Sequence, residues 1–115
     1  MVDGYSGSRF SINGVLLPGP LFLLPTLPLA WNVTSLDELS PESLALAYAI
    51  RPRVSILILG CGQRIKMINP QLRDFFRQKG ISIEALDTWN AVATWNILNQ
   101  EDRAVAAALM PFDYE

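Results

Sequence analysis

An α/β domain with a β-rich front half is the fold this sequence predicts. Three observations carry that reading. Alternating and proline-punctuated apolar segments fill residues 9–31, a nearly continuous apolar run stands at 54–59, and a second inner strand is expected at 81–86, with a stretch of helical apolar spacing between them. A further helical segment then leads to a last apolar run at 104–109. Continuous apolar runs suit strands covered on both faces, as in a parallel sheet. At 115 residues, half of them apolar, the chain is expected to be one domain with one core, β-rich over about 1–35 and α/β over about 40–111.

Taken in order, Arg9, Phe10, Ser11 and Ile12 alternate and run into Asn13-Gly14, the signal for a tight hairpin whose central residues must accept positive φ. Pro18-Gly19-Pro20 forces another turn before the apolar run 21–24. Ser40-Pro41-Glu42 opens a short helix: a serine cap, proline at the first helical position and an acid favoured by the helix dipole. It places Leu44 and Tyr48 on one face and is expected to end before Arg51-Pro52. The strand at 54–59 breaks at Gly60-Cys61-Gly62. Pro70 then begins a helix with Leu72, Phe75 and Phe76 at i, i+3 and i+4, which Gly80 is placed to stop. With residues 81–86 as a second inner strand, 54–86 reads as a right-handed βαβ unit. Thr88 caps a third helix in which Trp89, Val92, Ala93 and Asn96 share a face, and residues 104–109 form the last strand.

Composition excludes several chemistries. The chain has no histidine and one cysteine, so it holds no Ser-His-Asp or Cys-His relay, no imidazole metal ligand, no internal disulfide and no cysteine-rich zinc site. Cys61 reads as a small packed residue rather than a nucleophile. The longest apolar stretch, 15–31, contains Pro18, Pro20, Pro25 and Pro28, which break the backbone bonding of a membrane-spanning helix. Met1 to Tyr5 lack the basic start of a presequence, so any import signal is expected to have been removed or never to have existed. The sequon at Asn32-Val33-Thr34 is read as chance, because no signal peptide accompanies it.

Two constellations invite a ligand. Gly60-Cys61-Gly62 follows a strand, but Ile65 stands where a dinucleotide fingerprint needs its third glycine, and the helix begins only near Pro70. Beside it, at the carboxyl edge of the predicted sheet, stand Asp87 and Thr88, which read first as helix caps. Together with Asn96, and with Arg64 and Lys66 as anion-attracting groups, they outline a possible crevice. Neither Arg64 nor Lys66 supplies a nucleophile or base.

Charge is polarised along the chain. Residues 51–79 hold seven of the nine basic residues and only one acid, Asp74, a net +6 set between segments of −3 and −5. Such a surface steers a partner, although the same pattern also describes an ordinary solvated helix face. Arg64, Lys66, Arg73 and Arg77 are therefore the candidate partner-binding cations. Nucleic acid is not expected, because aromatic residues are not interleaved with the basic ones. Of Trp31, Trp89 and Trp95, at least two are expected to be mainly buried. Trp95, off the face expected for its helix, is the candidate exposed interface residue.

The block 81–111 (ISIEALDTWNAVATWNILNQEDRAVAAALMP) resembles the C-terminal signature of the mitochondrial complex I assembly factor 3 family. Tyr5, residues 10–14, Gly19-Pro20, Leu24-Pro25, Trp31-Asn32-Val33 and residues 52–62 agree with it, so the resemblance spans nearly all of 3–112. It implies a three-layer fold with a central mixed sheet, helices on one side and additional β structure on the other. It also implies a non-catalytic protein without a cofactor, on the matrix side of the mitochondrial inner membrane. Its implied partners are assembly factor 4 and early subunits of the ubiquinone-binding module, with membrane association only through them. Relatives in this family commonly carry threonine where Cys61 stands and possess an N-terminal extension, and the same domain occurs in bacterial and archaeal proteins without complex I roles. The alternative expectation is a small-ligand-binding protein or enzyme using the crevice formed by Gly60 to Arg64 and Asp87 to Asn96.

Overall fold

The computed structural model describes residues 2–6, 9–12, 14–50 and 53–115. Asn13, Arg51 and Pro52, used in the sequence reading, lie outside the described residues. Strands β1 (Val2–Ser6), β2 (Arg9–Ile12) and β3 (Val15–Pro18) form an antiparallel three-stranded sheet in the order β1-β2-β3. Ile12 pairs with Val15, and Gly14 has φ +83°, the positive value that the tight-hairpin signal requires of it. A cis Gly19–Pro20 bond lies in the turn that follows.

The second sheet combines β4 (Leu21–Leu23), β5 (Pro28–Ala30), β6 (Ile56–Gly60), β7 (Ser82–Leu86) and β8 (Val105–Leu109) in the order β5-β4-β8-β6-β7. β8 and β7 run parallel to β6, whereas β4 is antiparallel to both β8 and β5, so the sheet is mixed. The β-rich front half is thus divided: β1, β2 and β3 form the separate layer, and β4 and β5 extend the central sheet. The wholly buried Leu21, Phe22 and Leu23 require a strand covered on both faces, and the central sheet supplies both.

α1 (Leu46–Ala49) follows a 3₁₀ turn at Glu42–Leu44, and α2 (Pro70–Gln78) and α3 (Thr88–Gln100) are the two longer helices. The cap position of this 3₁₀ turn is Pro41, and just ahead of it Ser40 bonds reciprocally with Ser43: each backbone N–H donates to the other's hydroxyl, at 2.9 and 3.2 Å. Asn69 caps α2 ahead of Pro70, and Gly80 ends it at φ +79°.

Two cores flank the central sheet. Leu72 and Phe76 of α2, with Leu44, Trp31 and Val33, pack on Leu57, Leu59, Ala106 and Ala108. On the opposite face Ala91 and Trp95 of α3, with Phe10 and Ile12 of β2, pack on Ile58, Val105, Ala107 and Leu109. The expected three layers are present, with one difference: α3 shares its face with the N-terminal sheet. Strand order explains this. The crossover β6-α2-β7 moves outward and β7-α3-β8 returns past β6, so connections of one hand must place their helices on opposite faces. The small Ala106–Ala108 stretch in β8 accommodates both sides, with Phe22 directly opposite Ala108.

Residues 81–86 are not an inner strand. β7 ends the sheet, nothing pairs with its outer edge among the described residues, and Ser82 and Glu84 are exposed on one of its faces.

Ser35 and Glu38 form a capping box at a second 3₁₀ turn, Leu36–Glu38. The Glu38 carboxylate accepts from the Thr34 hydroxyl at 2.7 Å, Thr34 N at 3.1 Å and Ser35 N at 2.9 Å. These bonds, the Thr34 hydroxyl foremost, hold its pKa below the ordinary 4.5. A depressed folded pKa stabilises above the unfolded value and loses that contribution as pH falls through the folded one. Thermal unfolding followed downward from pH 4.5 is therefore expected to show an acid-dependent loss of Tm that Glu38→Gln reduces.

Candidate functional site

At the carboxyl ends of β6 and β7, Gly60, Cys61, Gly62, Asp87 and Thr88 converge, as the sequence suggests, and the space between them is filled. Gly62 turns the chain at φ +87°. Its N–H donates to Thr88 Oγ1 at 2.8 Å, its carbonyl accepts from Thr88 N at 2.9 Å, and Thr88 Oγ1 donates to Met110 O at 2.9 Å. Thr88 is fully buried, and this one hydroxyl ties the ends of β6 and β8 to the start of α3. The cap of α3 is Asp87, which accepts from Asn90 N at 3.2 Å and from Asn90 Nδ2 at 2.6 Å. Thr88 is therefore the first helical residue and not the cap.

The C-terminal segment closes the edge. Tyr114 O accepts from Gln63 N at 2.9 Å, and Tyr114 Oη accepts from Leu36 N at 2.9 Å. A Cβ on Gly62 would lie 2.3 Å from Tyr114 O, and one on Gly60 would meet Leu109, Thr88 and Ala91. Neither glycine leaves room for a phosphate cradle. Asn96 lies roughly two helical turns, about 12 Å, along α3 from Thr88 and so does not join the edge.

Cys61 is completely buried, and desolvation pushes its thiol pKa above 9.0, against smaller opposing contributions from the Lys66 backbone and charge. A raised thiol pKa leaves stability intact below 9.0 and erodes it above, where only the unfolded chain ionises. Thiol labelling with a disulfide reagent is expected to be slow on the native protein and fast in denaturant. Rapid native labelling would show an open edge.

The candidate cations separate into two groups. Arg64 and Lys66 are exposed on the loop after β6, where with Gln63 and Glu115 they line a surface depression of about 280 Å³. Arg73 and Arg77 stand on α2: Arg73 Nη1 donates to Ile83 O at 2.7 Å, and Arg77 pairs with Asp74. Lys79 lies over the rings of Tyr48 and Phe75 at 5.2 and 5.4 Å.

Two of the three tryptophans, Trp31 and Trp95, are buried. The exposed one is Trp89, at 40%, and not Trp95, at 3%. The face of α3 against the sheet runs through Thr88, Ala91 and Trp95, about one residue out of register with the face drawn from Trp89, Val92, Ala93 and Asn96. Trp89 packs edge-on against Phe112, with ring centroids 5.0 Å apart. One site residue, Tyr114, and one role of Gly62 escape sequence reasoning. Tyr114 has no periodic context, and the second role of Gly62, its close approach to Tyr114 O, has no local signal. Among the described residues no group of three or more acidic, cysteine or histidine side chains is placed to hold a metal, and no helix is long and apolar enough to cross a membrane.

Known proteins share this sequence and architecture. A Xenopus tropicalis protein named NADH dehydrogenase (ubiquinone) 1 alpha subcomplex assembly factor 3 is 43% identical over 110 residues, covering 96% of this chain and 60% of its own length. The chain thus spans about 60% of that relative. An uncharacterized protein of Rhodobacter capsulatus is 30% identical over 96% of this chain and 83% of its own. A crystal structure of a Bordetella parapertussis protein superposes with a TM-score of 0.86 at 27% identity, over 96% of this chain and 93% of that one. Residues 2–110 match the family described as a protein of unknown function (DUF498/DUF598), and the chain belongs to that family.

Proposed function

We propose that this chain acts as a single, non-catalytic protein-binding domain in the assembly of mitochondrial respiratory complex I. In this reading it stands on the matrix side of the inner membrane and holds early ubiquinone-module subunits together with assembly factor 4. The observation that carries the reading is 43% identity over 96% of the chain to a protein named as a complex I assembly factor. The filled carboxyl edge supports it, because Thr88 and Tyr114 occupy the place where open α/β sheets usually seat a ligand.

Affinity capture of the full-length protein from mitochondria, followed by mass spectrometry, tests this. Recovery of assembly factor 4 with peripheral-arm subunits is the expected result; recovery of neither contradicts it.

A further inference from the structure

The central sheet ends on β7, whose outer edge is open among the described residues. Ladder alternation fixes which groups face outward. Ser82 N donates to Ser55 O and Leu86 O accepts from Cys61 N, so residues 82, 84 and 86 direct their backbone groups at β6. Ile83 and Ala85 direct theirs away from it. Arg73 confirms the direction: its guanidinium wraps the edge to reach Ile83 O at 2.7 Å. The N–H of Ile83 and both backbone groups of Ala85 remain directed outward.

The charges along this edge differ by face. Ile83 and Ala85 pack toward α2, where Arg73 and Arg77 line a depression of about 380 Å³ together with Ser55, Ile81 and Ser82. Glu84 is exposed and, by alternation, lies on the α3 side.

We propose that β7 is a docking edge which takes an extended segment of another protein as an added antiparallel strand. The segment places a cation opposite Glu84 and, on the following residues that face α2, carboxylates toward Arg73 and Arg77. Strand addition supplies backbone hydrogen bonds, and alternating pockets or charges supply selectivity. In the antiparallel arrangement one partner residue both donates to and accepts from Ala85, and Ile83 O stays with Arg73. A second copy of this chain is the wrong occupant: two-fold pairing of β7 with itself through Ile83 and Ala85 sets Glu84 against Glu84, a like-charge pair directly opposite across strands. The partner's identity as a complex I assembly protein rests on the reading above; the edge chemistry does not.

The probe is a fluorescent peptide, Thr-Val-Lys-Glu-Thr-Glu-Thr, titrated against the purified full chain, with Thr-Val-Glu-Lys-Thr-Lys-Thr as its charge-swapped counterpart. The first peptide is expected to bind saturably and to slow amide exchange at Ala85, with the swapped peptide about tenfold or more weaker. Ala85→Pro removes an outward N–H without touching the β6 ladder and is expected to abolish binding. Glu84→Lys is expected to abolish the preference for the first peptide's cation. It keeps the question decidable if the proline variant does not fold. Absence of binding, binding unaffected by either variant, or self-association through β7 overturns the proposal. Mitochondrial capture separates the two readings: partners captured equally by wild type and Glu84→Lys leave assembly standing and remove the edge. Peptide binding as described with no captured partner does the reverse.

Discussion

Gly62→Ala is expected to destabilise the protein by about 2–5 kcal/mol, a fall in Tm of roughly 8–20 °C for a domain of this size. Two effects add. A side chain at φ +87° costs about 1–2 kcal/mol, because Cβ crowds the following carbonyl in the left-handed region. The added Cβ would also stand 2.3 Å from Tyr114 O and 2.8 Å from Tyr114 Cβ. A backbone carbonyl that already accepts from Gln63 N cannot move without breaking that bond, so overpacking contributes about 1–3 kcal/mol more. Gly80→Ala separates the two effects. Gly80 has φ +79° with nothing within 4 Å of an added Cβ, so it is expected to lose only the conformational part, about 1–2 kcal/mol. Chemical denaturation of the two variants side by side is the measurement. Equal losses would mean that the C-terminal segment does not seal the edge in solution.

Thr88→Val is expected to cost about 2–4 kcal/mol despite its near-identical shape, because it leaves the buried Gly62 N–H and Met110 carbonyl without the hydroxyl that serves both. Thr88→Ser keeps the hydroxyl and loses one buried methyl, so about 1 kcal/mol is expected. Urea midpoints at unchanged slope are the readout. A valine variant as stable as the serine one would show that the tie between β6, α3 and β8 contributes nothing net.

Much of this architecture was legible in the residues, and what was illegible has physical causes. Leu72, Phe75 and Phe76 mark α2 because a charged opposite face fixes their register. α3 contains no charged residue over Thr88–Gln100, so no polar stripe told its two faces apart, and the drawn face slipped by about one residue. That slip exchanged Trp89 for Trp95. The apolar content of β7 suggests an inner strand, although Ser82 and Glu84 alternate with Ile83 and Ala85 as in a strand with one exposed face. The division of the front half after Pro18 depends on Phe22 meeting Ala108, a pairing between residues far apart in sequence. At the candidate site, the convergence of Gly60, Gly62, Asp87 and Thr88 followed from the βαβ reading. Its closure did not, because the closing group, Tyr114, belongs to an irregular C-terminal segment.

The abundance of mature complex I in cells deleted for the gene, resolved on native gels, bears most directly on protein binding without chemistry as the mode of action. Deletion is expected to remove the mature complex, and both the wild-type protein and Cys61→Ala are expected to restore it. An unchanged level of complex I after deletion would contradict an assembly role outright.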